Sequence, residues 1–136
     1  MKDMNEYNTF IGVAEDCPVA AAEIPQAKKG SKTVPVLHYE IMANHPYEYT
    51  QMDVLFEVHA RRNGIPEADR QEERERFFSK GQPCLRTSSL GKRYGWGIHH
   101  NEQGKVALYA IESDEYQSLI NDPSLKQVKA MRSRRG

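Results

Sequence analysis

Cys84 is the residue whose surroundings come nearest to a reactive centre. It lies in the loop 82–93 (QPCLRTSSLGKR), between Lys80 and Arg86, with Lys92 and Arg93 soon after. Cations beside a thiol favour the thiolate, which is the nucleophilic form. His99 or His100 would supply the base of a Cys–His pair. The candidate catalytic residues are therefore Cys84 and His99. The plainer alternative is an inert, packed thiol, because cysteine is among the most buried residue types. Cys17, just before Pro18, reads as structural.

A second chemistry is anion binding. Residues 94–100 and 105–111 read as the two strands of a β-hairpin closed by Asn101-Glu102-Gln103-Gly104. A four-residue loop sets His100 opposite Lys105, Trp96 opposite Tyr109 and Ile98 opposite Ala107; a slip of one residue exchanges the faces. Gly95 and Gly97 are unfavourable inside a strand unless a ligand or another element approaches closely. One reading is a flat groove for a small anionic ligand, with Arg86, Lys92, Arg93, Trp96 and His99 as its binding residues. The other is a helix packed directly on the glycines.

Other chemistry finds little support. His38 and His59 sit on apolar helical stripes and His45 follows a helix end. His99 and His100 are neighbours on a strand, so they point to opposite faces. No H-E-x-x-H or C-x-x-C occurs, and no metal site is expected. Glu57 and Asp53 lie one helical turn apart, and Glu112, Asp114 and Glu115 cluster at a helix start, where acids suit the dipole. Lys28-Lys29-Gly30-Ser31-Lys32 lacks the first glycine of a phosphate-binding P-loop. No cofactor is expected.

The elements that must position these groups follow from periodicity. Tyr7–Val13 reads as a short strand, and 14–32 as a long irregular segment broken by Pro18, Pro25 and Gly30. Thr33 precedes a helix over 34–44 whose stripe is Val34, Leu37, His38 and Ile41. Thr50 and Asp53 form a variant capping box before a second helix, with stripe Met52, Leu55, Phe56 and His59, ended by Asn63-Gly64 and Pro66. A third helix, 67–80, is polar nearly all round and reads as a solvated face anchored by Ala68, Phe77 and Phe78. Ser113 caps a helix to Ile120, and Asp122-Pro123 opens a last short helix.

The chain has 136 residues, enough for one domain, spanning 1–136. Nineteen basic residues balance nineteen acidic ones, which argues against a strongly basic nucleic-acid scaffold. The balance is uneven, with four Lys against seven acids in 1–50 and eight basic residues against five acids in 91–136. The basic tail, 132–136, offers at most weak phosphate contact. No apolar run approaches a membrane span, the first residues lack the apolar stretch of a secretory signal, and two cysteines make no disulfide framework. A cytoplasmic protein with no membrane partner is expected.

Several stretches carry a resemblance: TFIGVAEDCP (Thr9–Pro18), Tyr49–Val58, FFSKGQPCLR (Phe77–Arg86), KRYGWGIHH (Lys92–His100) and LKQVKAMRSRR (Leu125–Arg135). Together they resemble a bacterial family of small single-domain proteins of unknown function. The resemblance implies a bacterial cytosolic protein and brings no activity, cofactor or catalytic residue. The expected fold is α+β, with a small antiparallel sheet (the 94–111 hairpin plus the N-terminal strand) covered by several helices. The expected function is a non-catalytic binding domain for a small anionic ligand or a protein partner. A thiol-dependent enzyme using Cys84 comes second, and weak nucleic-acid binding through the basic C-terminus third.

Overall fold

Strand β1 (Thr9–Gly12) is buried along its whole length and organises the sheet around itself. A strand so enclosed must have both backbone edges paired. On one side it runs antiparallel to β2 (Trp96–His100), with Thr9 opposite His100, Phe10 opposite His99 and Ile11 opposite Ile98. On the other it runs parallel to β4 (Lys126–Lys129). β3 (Val106–Ala110) completes the order β3-β2-β1-β4. The computed structural model describes residues 2–133.

The fold is α+β as expected, but the sheet is mixed. The segment expected to form a last helix is strand β4 instead. Its amides are claimed by β1: Lys126 N–H donates to the Asn8 carbonyl and Ala130 N–H to that of Gly12, both at 2.8 Å. The need to pair the buried strand outweighs the local helix signals. Of the basic tail, Arg134, Arg135 and Gly136 lie outside the described residues.

The hairpin register is shifted by one residue from the expected one. Trp96 faces Ala110, Ile98 faces Leu108 and His100 faces Val106. The cause is the turn. Asn101 N–H donates to the Lys105 carbonyl, leaving a three-residue loop with Gly104 at φ +79°, a left-handed position suited to glycine. The Asn101 side chain accepts from the N–H of Gln103 and of Lys105, both at 2.9 Å. Ile98, His100, Val106 and Leu108 thus share one face with Thr9 and Ile11. Gly97, His99, Ala107 and Tyr109 share the other with Phe10.

The first face carries the main core. Ile11, Ile98 and Val106 meet Leu37 and Ile41 of α1 (Val34–Asn44), Val54 and Val58 of α2 (Gln51–Asn63) and Leu90 of the short α4 (Ser89–Lys92). The α2 capping box forms as read: Asp53 N–H donates to Thr50 Oγ1, and Thr50 N–H donates back to Asp53 Oδ2. Thr33 precedes α1 without a side-chain cap bond. The polar third helix is shorter than expected, a turn at Glu67–Asp69 followed by α3 (Arg70–Phe78). Its basic side is not simply solvated. Arg70 pairs with Glu57, Arg74 pairs with Asp53, and both guanidinium groups lie over the Phe56 ring of α2.

The second face is covered by one short helix, α5 (Asp114–Ile120). Its Tyr116 packs edge-on against Phe10, and its hydroxyl accepts a hydrogen bond from Val13 N–H at 3.0 Å. A Cβ on Gly97 would lie 2.5 Å from Phe10 and 2.7 Å from Tyr116, so only glycine admits this contact. No helix is long and apolar enough to cross a membrane among the described residues.

Candidate ligand-binding cleft

Of the two readings of the glycine face, a groove or a helix packed on it, the structure has the helix at Gly97. Tyr116 and Phe10 sit on Gly97, while Val19 and Ala22 of the irregular segment cover Gly95. The residues expected to line the groove are dispersed. Arg86 donates through Nε to the Lys129 carbonyl at 2.8 Å, steadying β4. Lys92 ends α4 and Arg93 follows it, exposed. Trp96 donates its indole N–H to the Glu23 carbonyl and lies against Tyr39 on the α1 side of the sheet.

The catalytic pair is not brought together either. Cys84 borders a small cavity of about 80 Å³ with Thr9, Ile11, Arg86, Lys126 and Val128. Thr9 and Ile11 point to the main-core face. His99 stands opposite Phe10, so it lies on the other face of the sheet. There, its Nδ1 is 2.8 Å from the hydroxyl of Tyr47, which is itself 2.7 Å from the hydroxyl of Tyr109. Burial lowers the His99 pKa, with Asp122 opposing it, and burial followed by the Tyr109 bond raises that of Tyr47. Tyr47 holds an unusual φ of +59°, enforced by β3, whose Val106 carbonyl accepts from Tyr47 N–H. The sequence reading did not single out Tyr47.

A better-formed site lies where α1, α2, α3 and the segment 82–89 converge. It is a cleft of about 320 Å³, within the range of small-molecule sites. Helical spacing builds it. Val34 and His38 are one turn apart on α1. Leu55, Val58, His59 and Arg62 follow the i, i+3, i+4, i+7 stripe of α2. Phe77 of α3 and Pro83 add apolar wall, and Ser88 and Ser89 bring hydroxyls.

His38 is 7% exposed. Burial pushes its pKa down to about 4, so it is neutral at pH 7. Its Nδ1 lies 2.9 Å from Ser88 Oγ, which already accepts from Leu90 N–H at 3.2 Å. His59 is fixed at both nitrogens. Nε2 is 2.8 Å from Glu73 Oε2, Nδ1 is 3.3 Å from the Asn63 amide nitrogen, and the ring stacks on Phe77 at 4.4 Å. The bonds from His59 and Arg76 hold the Glu73 carboxyl below the usual carboxylate range.

Arg62 is the group that stands apart. Its neighbours Arg61 and Arg70 share Glu57, Arg74 holds Asp53 and Arg76 holds Glu73. Arg62 has no ion pair or hydrogen bond among the described residues, and no carboxylate lines the cleft with it. The sequence did carry a signal for it. Arg62 is i+3 from His59 and i+7 from Leu55, so a cation continues the apolar stripe. His38 and His59 are visible on their apolar stripes, but periodicity alone does not show that both line one cleft. Among the described residues no cluster of three His, Cys, Asp or Glu side chains is arranged for a metal ion.

No curated protein and no solved structure matches the chain. The family model described as Family of unknown function (DUF6157) matches residues 1–136, and the chain belongs to that family.

Proposed function

We propose that the protein is a small-molecule-binding domain whose α1–α2–α3 cleft takes a small organic anion. This keeps the expected ligand class and moves its site away from the hairpin. The observation that carries it is the unpaired Arg62, beside a cleft of mixed apolar and polar lining that contains no acid. Leaving a guanidinium uncompensated while four nearby arginines are all paired provides one directional charge for a ligand. The apolar walls, Val34, Leu55, Val58, Phe77 and Pro83, supply the nondirectional part of the affinity. The hydroxyl bonded to His38, Ser88 Oγ, is engaged as the cap of Leu90 N–H, which favours a binding role for the pair.

The test is a titration of isotope-labelled protein with benzoate and cyclohexanecarboxylate, followed by amide chemical shifts. Shifts should concentrate in residues 34–38, 55–63 and 82–89. Arg62→Gln should weaken binding about tenfold or more, the scale of a lost charge-assisted hydrogen bond. Equal binding by R62Q, or shifts confined to the hairpin around Lys92 and Arg93, would refute it.

A further inference from the structure

We infer that the ligand is an oxo acid: a small monoanion with an apolar body and an uncharged carbonyl at the end remote from its charge, received by His38. This rests on the anion-binding reading above and adds what the deep end of the cleft recognises. His38 is buried and lines the cleft from α1, whereas Arg62 is exposed at the end of α2. The cleft therefore offers a cation near solvent and a histidine in its depth.

The hydrogen bonds of His38 decide what it presents. Ser88 is 3% exposed and its Oγ has two partners, Leu90 N–H and His38 Nδ1. If Oγ accepted from both, its own hydroxyl proton would be buried without an acceptor. Ser88 therefore donates to Nδ1, and the imidazole proton resides on Nε2. Nε2 has no protein partner among the described residues, and it is not sealed from solvent as both nitrogens of His100 are. His38 thus offers one neutral N–H donor to whatever occupies the cleft.

A neutral donor in a desolvated position matches a carbonyl oxygen. It does not match a second carboxylate, whose desolvation it could not offset, nor an ammonium group, which brings no acceptor. The volume, about 320 Å³, lies at the small end of the range of small-molecule sites. That suits a single ring, or a chain of similar bulk, with one substituent at each end.

The experiment compares near-isosteric probes by calorimetry on the full chain: 4-acetylbenzoate, 4-isopropylbenzoate, terephthalate and 4-methylacetophenone. The acetyl acid should bind about tenfold more tightly than the isopropyl acid, and more tightly than the dianion or the uncharged ketone. His38→Leu should abolish the acetyl preference while leaving the isopropyl acid bound. Equal binding of the acetyl and isopropyl acids, with both weakened by R62Q, overturns the oxo-acid inference and leaves the anion reading standing. Failure of every carboxylate to bind overturns both. Because H38L alters a buried position, a second measurement uses the unmodified protein. Two-bond nitrogen–proton correlations of His38 should show the proton on Nε2, and a proton on Nδ1 overturns the inference.

Discussion

The two faces of the sheet are closed by opposite means. The α5 face is thin. One helix of seven residues covers it, and Tyr116 reaches the strands because position 97 has no side chain. The α1–α2 face is thick, with three helices and most of the apolar core, yet it contains the cleft. Glycine in a strand removes bulk, but the aromatic neighbour takes the space, so flatness did not leave a groove. Space opened instead where α1, α2, α3 and the segment 82–89 meet, beside the second apolar cluster of Met52, Phe56, Ala60 and Phe78 that joins α2 to α3 and is flanked by the Arg70–Glu57 and Arg74–Asp53 pairs. Within the thick face the two buried histidines differ as well. His38 lines the cleft with one nitrogen bonded and the other not sealed from solvent, while His100, at 0% exposure in the core, has neither nitrogen partnered.

That contrast is sharpest in acid. Burial pushes both His38 and His100 down to about 4 from an ordinary 6.5. Above pH 6.5 both are neutral in the folded and the unfolded chain. Between 6.5 and about 4 the unfolded chain binds protons that the folded one refuses, so stability falls as pH falls. The loss approaches about 3 kcal/mol per histidine as an upper value. Glu57 and Glu73 are held below the usual carboxylate range, so the histidines act before them. Denaturant melts at pH 7, 5.5 and 4.5 should show the decline. His100→Leu should remove about half of it and, having no unpaired buried nitrogens, be at least as stable at pH 7. An unchanged acid limb in H100L would break the comparison.

The next effect tests the thin face. Gly97→Ala places a methyl against Phe10 and Tyr116 at distances no relaxed structure shows. It should cost about 3 kcal/mol through overpacking, read as a shift in the urea midpoint. A loss below about 0.5 kcal/mol would mean that α5 lifts freely and that the face is not sealed.

Much of the scaffold was legible because it is local. The Thr50–Asp53 box, the Ser113 cap, the stripes of α1 and α2 and the hairpin all rest on contacts between residues close in sequence. What sequence could not supply was pairing at a distance. β4 is a strand only because β1, more than a hundred residues earlier, lacks a partner on that edge. The register turned on whether the loop has three residues or four, and one residue moved Tyr109 onto the face of His99. For the site, the residue types were visible but their convergence was not. Arg62 stands out only once its four neighbours are seen paired, and Ser88 matters only because α4 brings it beneath His38.

Two smaller effects bound the rest. Tyr47→Phe removes the hydroxyl shared by His99 and Tyr109 at a half-buried site on the thin side. It should cost about 1 kcal/mol and leave anion binding in the cleft unchanged, since the sheet separates the two. A change in affinity as large as that of R62Q would show that the faces are coupled. Cys84→Ser should change stability by less than about 0.5 kcal/mol. Cys84 is half-buried, borders the 80 Å³ cavity rather than the cleft, and is separated from His99 by the sheet. Alkylation of the wild-type thiol should likewise leave benzoate affinity unaltered. Its neighbour Pro83 does line the cleft, so a fall in affinity on alkylation would show that the 82–89 segment transmits strain. The thick face would then be the more deformable of the two, despite holding most of the core.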